Sequence, residues 1–211
     1  MFDIEYKGAN GIIIATKKTT AVIDPKLSLV GLKDIKSDNT VEIATEPRFA
    51  INNKNALLSV EGPGEYEVGD FSISGISTTR HIDMPDAPKI ATIYRIEVGE
   101  ARIALIGNID PKLEEDQLEA LGVVDILIVP IGGGGYTLDA SSAAGLIRQI
   151  DPKVVIPTHY ADSGIKYEVP QDTLETFVKE LGAPVETVAK YKVKSASSLP
   201  SALTVVEITR S

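Results

Sequence analysis

VVDILIVPIGGGGYTLDASSAAGLIRQIDPKVVIPTHY, residues Val123–Tyr160, reads as strand, glycine loop, helix, strand. Val124–Val129 is a near-continuous apolar run of strand length, as expected for a strand covered on both faces. Pro130 ends it. Gly132–Gly135 then forms a loop whose backbone can approach a neighbour closely. Asp139 is placed to cap a helix over Ala140–Ile150, with Ala143, Ile147 and Ile150 on one face and Pro152 just past its end. Lys153–Ile156 is the second strand, and it carries Thr158, His159 and Tyr160 to its carboxyl end. Open α/β sheets bind their ligands at such ends, so the βαβ unit points at a site.

Working outward toward the amino terminus, the pattern changes from alternating strand and helix to short strands. Asp3–Tyr6, Gly11–Ala15 and Thr20–Ile23 are separated by turns at Gly8–Gly11 and Lys17–Thr19. Gly31–Asn39 is a polar connector, and Val41–Ala44 and Ala56–Val60 are further strands. GPGEYE (Gly62–Glu67) reads as a tight turn into a strand over Val68–Ile76, and His81–Lys89 as a polar loop. The register to this point is that of antiparallel meanders. Ala91–Ile96 and Arg102–Ile106 then form a hairpin, and Pro111–Leu121 an acidic amphipathic helix with Pro111 at its start. Beyond the βαβ unit, Gln171–Leu181 is a helix capped by Gly182, and Val185–Val188 and Leu203–Ile208 are strands. Ile-Asp-Pro-Lys recurs at Ile23–Lys26, Ile109–Lys112 and Ile150–Lys153 as punctuation between elements.

No linker or low-complexity segment divides the chain, so residues 1–211 are expected to form one domain. At 211 residues it can bury a sizeable core. Its apolar fraction of 43% and charged fraction of 24% are those of an ordinary globular protein. No window approaches the roughly 18 uninterrupted apolar residues of a membrane span, and no secretory signal is visible. With no cysteine there is neither a disulfide framework nor a thiolate metal site. A cytoplasmic location is the expectation. The net charge of -9 argues against a nucleic-acid partner, since phosphate neutralisation needs clustered Lys and Arg.

Six stretches carry a family resemblance: AVIDP (Ala21–Pro25), GPGEYEV (Gly62–Val68), STTRHID (Ser77–Asp83), ALIGNID (Ala104–Asp110), the run Val124–Ala144, and KVVIPTHY (Lys153–Tyr160). Their order resembles the metallo-β-lactamase fold superfamily, in particular its small cytosolic branch of metal-dependent hydrolases. The resemblance implies an α/β (α+β) fold, a four-layer αββα sandwich with two sheets face to face and helices outside. It also implies one or two metal ions held by an H-x-H-x-D-H motif, a separate His, a bridging Asp and a final His, which activate a water.

This chain departs from that pattern. Glu46, Arg48, Ala50 and Ile51 stand where the motif has His, His, Asp and His, and Asn108 where it has the bridging Asp. Gly8-Ala9-Asn10 replaces a Gly-His-Ser. His81 matches the separate His and His159 the final one; the chain has no other histidine. Arg48 adds a permanent positive charge and Asn108 removes a negative one. The expectation is a cleft without metal or other cofactor, formed by His81, Asn108, His159, Arg48 and Glu46. The loop Glu46–Ile51 should then be held by packing of Phe49 and Ile51. Such a chain is expected to be a non-catalytic binding or assembly protein that uses the old cleft for an unidentified ligand or a protein partner. The alternative is a hydrolase with one zinc at His81 and His159, completed by Asp83 or Glu46. Enzyme and binding protein both remain open at this level, because function lives in the site and not in the fold.

Overall fold

The computed structural model describes residues 1–81 and 89–211. Asp83, one candidate zinc ligand, lies outside the described residues. The strands are β1 (Phe2–Gly8), β2 (Gly11–Ala15), β3 (Thr20–Ile23), β4 (Val41–Ile43), β5 (Leu58–Val60), β6 (Gly64–Val68) and β7 (Phe71–Thr79). They continue with β8 (Ile90–Val98), β9 (Ala101–Leu105), β10 (Ile126–Pro130), β11 (Val154–Thr158), β12 (Val185–Val188), β13 (Tyr191–Val193) and β14 (Thr204–Ile208). Among the described residues three α-helices accompany them: α1 (Glu115–Leu121), α2 (Ala140–Ile150) and α3 (Leu174–Leu181).

These strands make two mixed sheets. One has the order β13-β1-β2-β3-β4-β5 and the other β12-β14-β11-β10-β9-β8-β7-β6. Alternation along β1 turns Phe2, Ile4 and Tyr6 inward, where they meet Ile73, Ile96 and Ile103 of the opposite sheet in one continuous core. A second core lies on the other face of the eight-stranded sheet. There Leu127, Val129 and Val155 meet Leu121 of α1, Leu146 and Ile147 of α2 and Phe177 of α3. Strands β10 and β11 are buried at every position because both of their faces are covered. All three α-helices thus flank the larger sheet, while the outer side of the smaller one carries a 3-10 turn at Leu27–Val30 and the segment that follows.

The βαβ unit forms as its residues dictate. The Asp139 carboxylate accepts the Ser142 N–H at 2.7 Å and so caps α2. β10 and β11 pair in parallel from Ile126↔Val154 to Pro130↔Thr158. The second strand therefore runs two residues beyond the expected Ile156. Pro157 enters it because proline removes only one donor, close to the strand's end.

Other boundaries move for physical reasons. Gly64–Val68 is a strand and not a turn: it pairs with β7 from Gly64↔Gly75 to Val68↔Phe71, and the reversal falls at Gly69–Asp70. The first helix starts at Glu115, because Glu114 forms a reciprocal capping box with Gln117. Thr173 caps α3 through the Thr176 N–H at 3.3 Å, which sets its start at Leu174. The first half is not purely antiparallel, since β3-β4 and β4-β5 pair in parallel. The long connectors between them are crossovers. β13, a three-residue strand with no apolar run of its own, was not legible in the sequence.

Candidate functional site

Strand direction gathers the site. β3, β4, β7, β9, β10 and β11 all end at one edge of the sandwich, and the β1–β2 turn reaches the same edge. The loops there carry Asp24, Glu46, Arg48, Arg80, Asn108, Tyr136, His159 and Asn10. The two sheets are joined at this edge by the Thr92 N–H, which donates to Thr45 O at 2.9 Å.

Glu46 is the centre. It is 2% exposed and precedes a 3-10 turn over Pro47–Phe49. Arg48 Nε lies 2.9 Å from its Oε2, and Arg48 Nη2 donates to its Oε1 at 3.2 Å. Arg80 Nε lies 3.1 Å from the same Oε2. Asn108 Nδ2 donates to Oε1 at 3.1 Å. Burial is the largest influence on this carboxyl and pushes its pKa up, while Arg48, Arg80 and Asn108 hold it down.

Arg48 is fixed on its other side too. Its Nη1 donates to the Tyr136 hydroxyl, and its guanidinium lies 4.7 Å from the Phe49 ring centre and 4.9 Å from that of Tyr136.

A chain of amides runs inward from Glu46. Asn108 Oδ1 accepts from Asn10 Nδ2 at 3.4 Å, and Asn10 Oδ1 lies 3.1 Å from His159 Nδ1. His159 is buried between the rings of Tyr167 (4.8 Å) and Tyr136 (6.2 Å). Its backbone is left-handed, with φ 48°, and its N–H donates to Ala9 O at 2.8 Å. Burial, with the charge of Arg48 added, drives its pKa down to about 3, so the ring is neutral at ordinary pH. Gly132 makes room for this backbone: a Cβ there would stand 2.2 Å from His159 O.

Asp24 closes the far side. Its Oδ1 accepts the Thr45 N–H and its Oδ2 the Thr45 hydroxyl, both at 2.7 Å. Burial pushes its pKa up to about 7 against those bonds. Beneath Arg48 and His159 opens a pocket of about 90 Å³, walled by Leu27, Val30, Phe49 and Val169, with Asn10 and Asp24 reaching it and Lys26 at its rim.

Of the residues expected from sequence, Glu46, Arg48, Asn108 and His159 are thus linked by hydrogen bonds through Asn10. His81 stays at the margin: its N–H donates to Asn108 O at 3.0 Å, while its ring Nδ1 is buried with no hydrogen-bond partner among the described residues. The loop after Glu46 is held otherwise than by Ile51, which is 36% exposed. Buried Glu42 takes that role. Its Oε1 accepts the N–H groups of Ile51 and Asn52, each at 2.7 Å, and Oε2 accepts the Ser37 hydroxyl at 2.8 Å.

Sequence reasoning missed Arg80, Asn10, Asp24, Tyr136 and Tyr167. Arg80 had a readable signal, since a carboxylate buried at position 46 requires a cation and Arg80 adjoins the matched His81. Asn10, Asp24 and Tyr136 lie in stretches that the resemblance covers, but their partners come from distant loops; Tyr167 lies in none of those stretches.

Among the described residues no group of three or more His, Cys, Asp and Glu is placed to hold a metal ion. Nor is any helix long and apolar enough to cross a membrane.

Residues 3–159 match the profile of the beta-lactamase superfamily domain. A UPF0173 protein of Pyrococcus furiosus is 32% identical over 104 residues, 49% of this chain and 45% of that protein. One from Pyrococcus abyssi is 27% identical over 131 residues, 59% of this chain and 58% of the relative. The chain spans about half the length of the curated relatives it matches. Among solved structures, a Thermotoga maritima protein assigned as a Zn-dependent hydrolase of the metallo-beta-lactamase superfamily aligns over 99% of this chain and 100% of its own. Its TM-score is 0.77 and its identity 20%. Igni18, a metallo hydrolase from Ignicoccus hospitalis, aligns over 92% of this chain and 99% of its own, with TM-score 0.69 and 15% identity. At such identities the likeness shows the fold alone.

Proposed function

Because the chain belongs to the beta-lactamase superfamily and sets two guanidinium groups on Glu46 where the family's metal motif falls, we propose that it is a non-catalytic member. In this reading it is a binding protein that works through the former metal cleft. The single observation that carries the reading is the Glu46–Arg48–Arg80 cluster. A zinc centre needs about four donors per ion. Here the Glu46 oxygens are taken by Arg48, Arg80 and Asn108, and those of Asp24 by Thr45. With Nδ1 engaged by Asn10, His159 has a single ring nitrogen left to offer. Two arginine charges beside the site further oppose a divalent cation. The residues present do not fit zinc.

Support for a binding role comes from what the cluster leaves intact: a preformed pocket, walled by apolar groups and floored by a few fixed polar ones. A single zinc between His81 and His159 would have to draw Glu46 away from three partners.

The test is elemental analysis of untagged protein after exposure to excess zinc and gel filtration. Protein that emerges without zinc supports the reading. Two retained ions per chain overturn it, and one points to the mononuclear hydrolase instead.

A further inference from the structure

We propose that the ligand of this cleft is an uncharged molecule with an apolar body, which donates a hydrogen bond from an N–H or O–H group to Nε2 of His159. The inference rests on the binding role proposed above and names its ligand class. Hydrogen-bond direction is the first argument. Glu46 lies between two arginines, so its carboxylate is an acceptor and the Asn108 amide must turn Nδ2 toward it. Asn108 Oδ1 then faces inward and accepts from Asn10 Nδ2, which leaves Asn10 Oδ1 for His159 Nδ1. An amide oxygen and a ring nitrogen share that 3.1 Å contact only if Nδ1 carries the proton. In a neutral imidazole the other nitrogen, Nε2, then holds a lone pair.

That lone pair belongs to a built site. His159 is 4% exposed, lines the pocket beneath Arg48, and has no hydrogen-bond partner at Nε2 among the described residues. Its ring is held between Tyr167 and Tyr136 and its backbone N–H by Ala9 O, so the acceptor is oriented before any ligand arrives. An acceptor set among apolar walls and left without a donor is costly, and a ligand that supplies one relieves the cost.

Charge is the second argument. Burial, with the charge of Arg48 added, holds the His159 pKa down at about 3, so the site already disfavours positive charge at the ring. An ammonium donor would meet the same opposition, and the walls of Leu27, Val30, Phe49 and Val169 would desolvate it. A carboxylate fares no better at Nε2, because there an acceptor meets an acceptor. The guanidinium edges of Arg48 are turned to Glu46 and Tyr136 and do not reward an anion. What the pocket rewards is a neutral donor on a body that the apolar walls can cover.

The experiment is an NMR titration of the full chain, its histidine nitrogens isotope-labelled, with pyrrole, furan, acetate and propylammonium. Pyrrole and furan share a shape, and only pyrrole carries an N–H. Before any addition the His159 signals should show the proton on Nδ1; a proton on Nε2 overturns the proposal. Pyrrole is expected to shift the Nε2 signal together with those of Val30 and Phe49, and to bind about tenfold more tightly than each of the others. His159→Phe should bring pyrrole down to the affinity of furan. Furan, acetate or propylammonium binding as tightly as pyrrole at those residues would overturn the donor assignment. So would silence of the pocket toward all four probes. The non-catalytic reading falls to a different result, zinc retained after gel filtration, so the two failures are told apart. If His159→Phe fails to fold, the pyrrole–furan comparison on the unaltered chain still decides.

Discussion

Glu46 and Arg80 meet at 3.1 Å, Oε2 to Nε, with each side chain almost wholly withdrawn from solvent. Glu46 comes from the loop after β4, and Arg80 from the end of β7 in the opposite sheet. A carboxylate and two guanidinium groups therefore join the loops of the two sheets here. Desolvating such a cluster is costly, so its value lies in being complete.

Removing the carboxylate should accordingly be severe. Glu46→Gln leaves buried Arg80 and half-buried Arg48 against a neutral amide and is expected to lower unfolding stability by about 3–5 kcal/mol. Urea denaturation followed by circular dichroism measures it. A loss below about 1 kcal/mol would show that the pairs behave like exposed ones.

Restoring the family's aspartate should also harm this chain. Asn108 donates to Glu46 Oε1 at 3.1 Å, and Asn108→Asp replaces that donor by a second carboxylate. A loss of about 3 kcal/mol is expected at pH 8. It should shrink as the pH falls, because one proton shared by the two carboxyls restores the bond. Equal losses at pH 8 and pH 5 would contradict this account.

Two buried groups give opposite pH dependences. His159 has its pKa lowered from 6.5 to about 3, so the unfolded chain binds more protons in that interval. Its contribution to stability is full above pH 6.5 and is lost as the pH falls toward 3. Asp24 has its pKa raised from 3.8 to about 7, so the native chain binds more protons there. Its contribution is full below pH 3.8 and is lost as the pH rises through 7. Asp24→Asn should therefore make stability rise more steeply with pH between 4 and 6.5, and His159→Gln should make it fall. Denaturation series on both variants test the pair; matching slopes for the two would refute the assignment.

Gly132→Ala places a methyl group 2.2 Å from His159 O and 2.4 Å from Gln171 Oε1. The strained contact should cost about 1–3 kcal/mol and shift the His159 ring resonances. Gly135→Ala is the control for space alone, because a Cβ at Gly135 meets nothing within 4 Å, although its φ of +75° strains any side chain. Comparable disturbance of His159 by both variants would show that the close approach at Gly132 is not what holds the loop.

Elements whose residues bury themselves locally were readable in the chain. Val124–Val129 is apolar at nearly every position because both faces of β10 are covered, and Asp139 caps α2 through a bond only three residues long. The loss of the metal motif was equally plain, since Glu46 and Arg48 stand in the chain for anyone to read. What replaced it was not. Arg80 lies 34 positions from Glu46, and Asn10 lies 98 from Asn108 and 149 from His159. Those pairings exist only because β4, β7, β9 and β11 end at one edge of two packed sheets. The amino-acid sequence by itself determined which chemistry was missing, because side-chain identity sets what can bind a cation. Tertiary structure alone decided what fills the place, because a buried carboxylate takes as partners whichever donors the packing brings within about 3 Å.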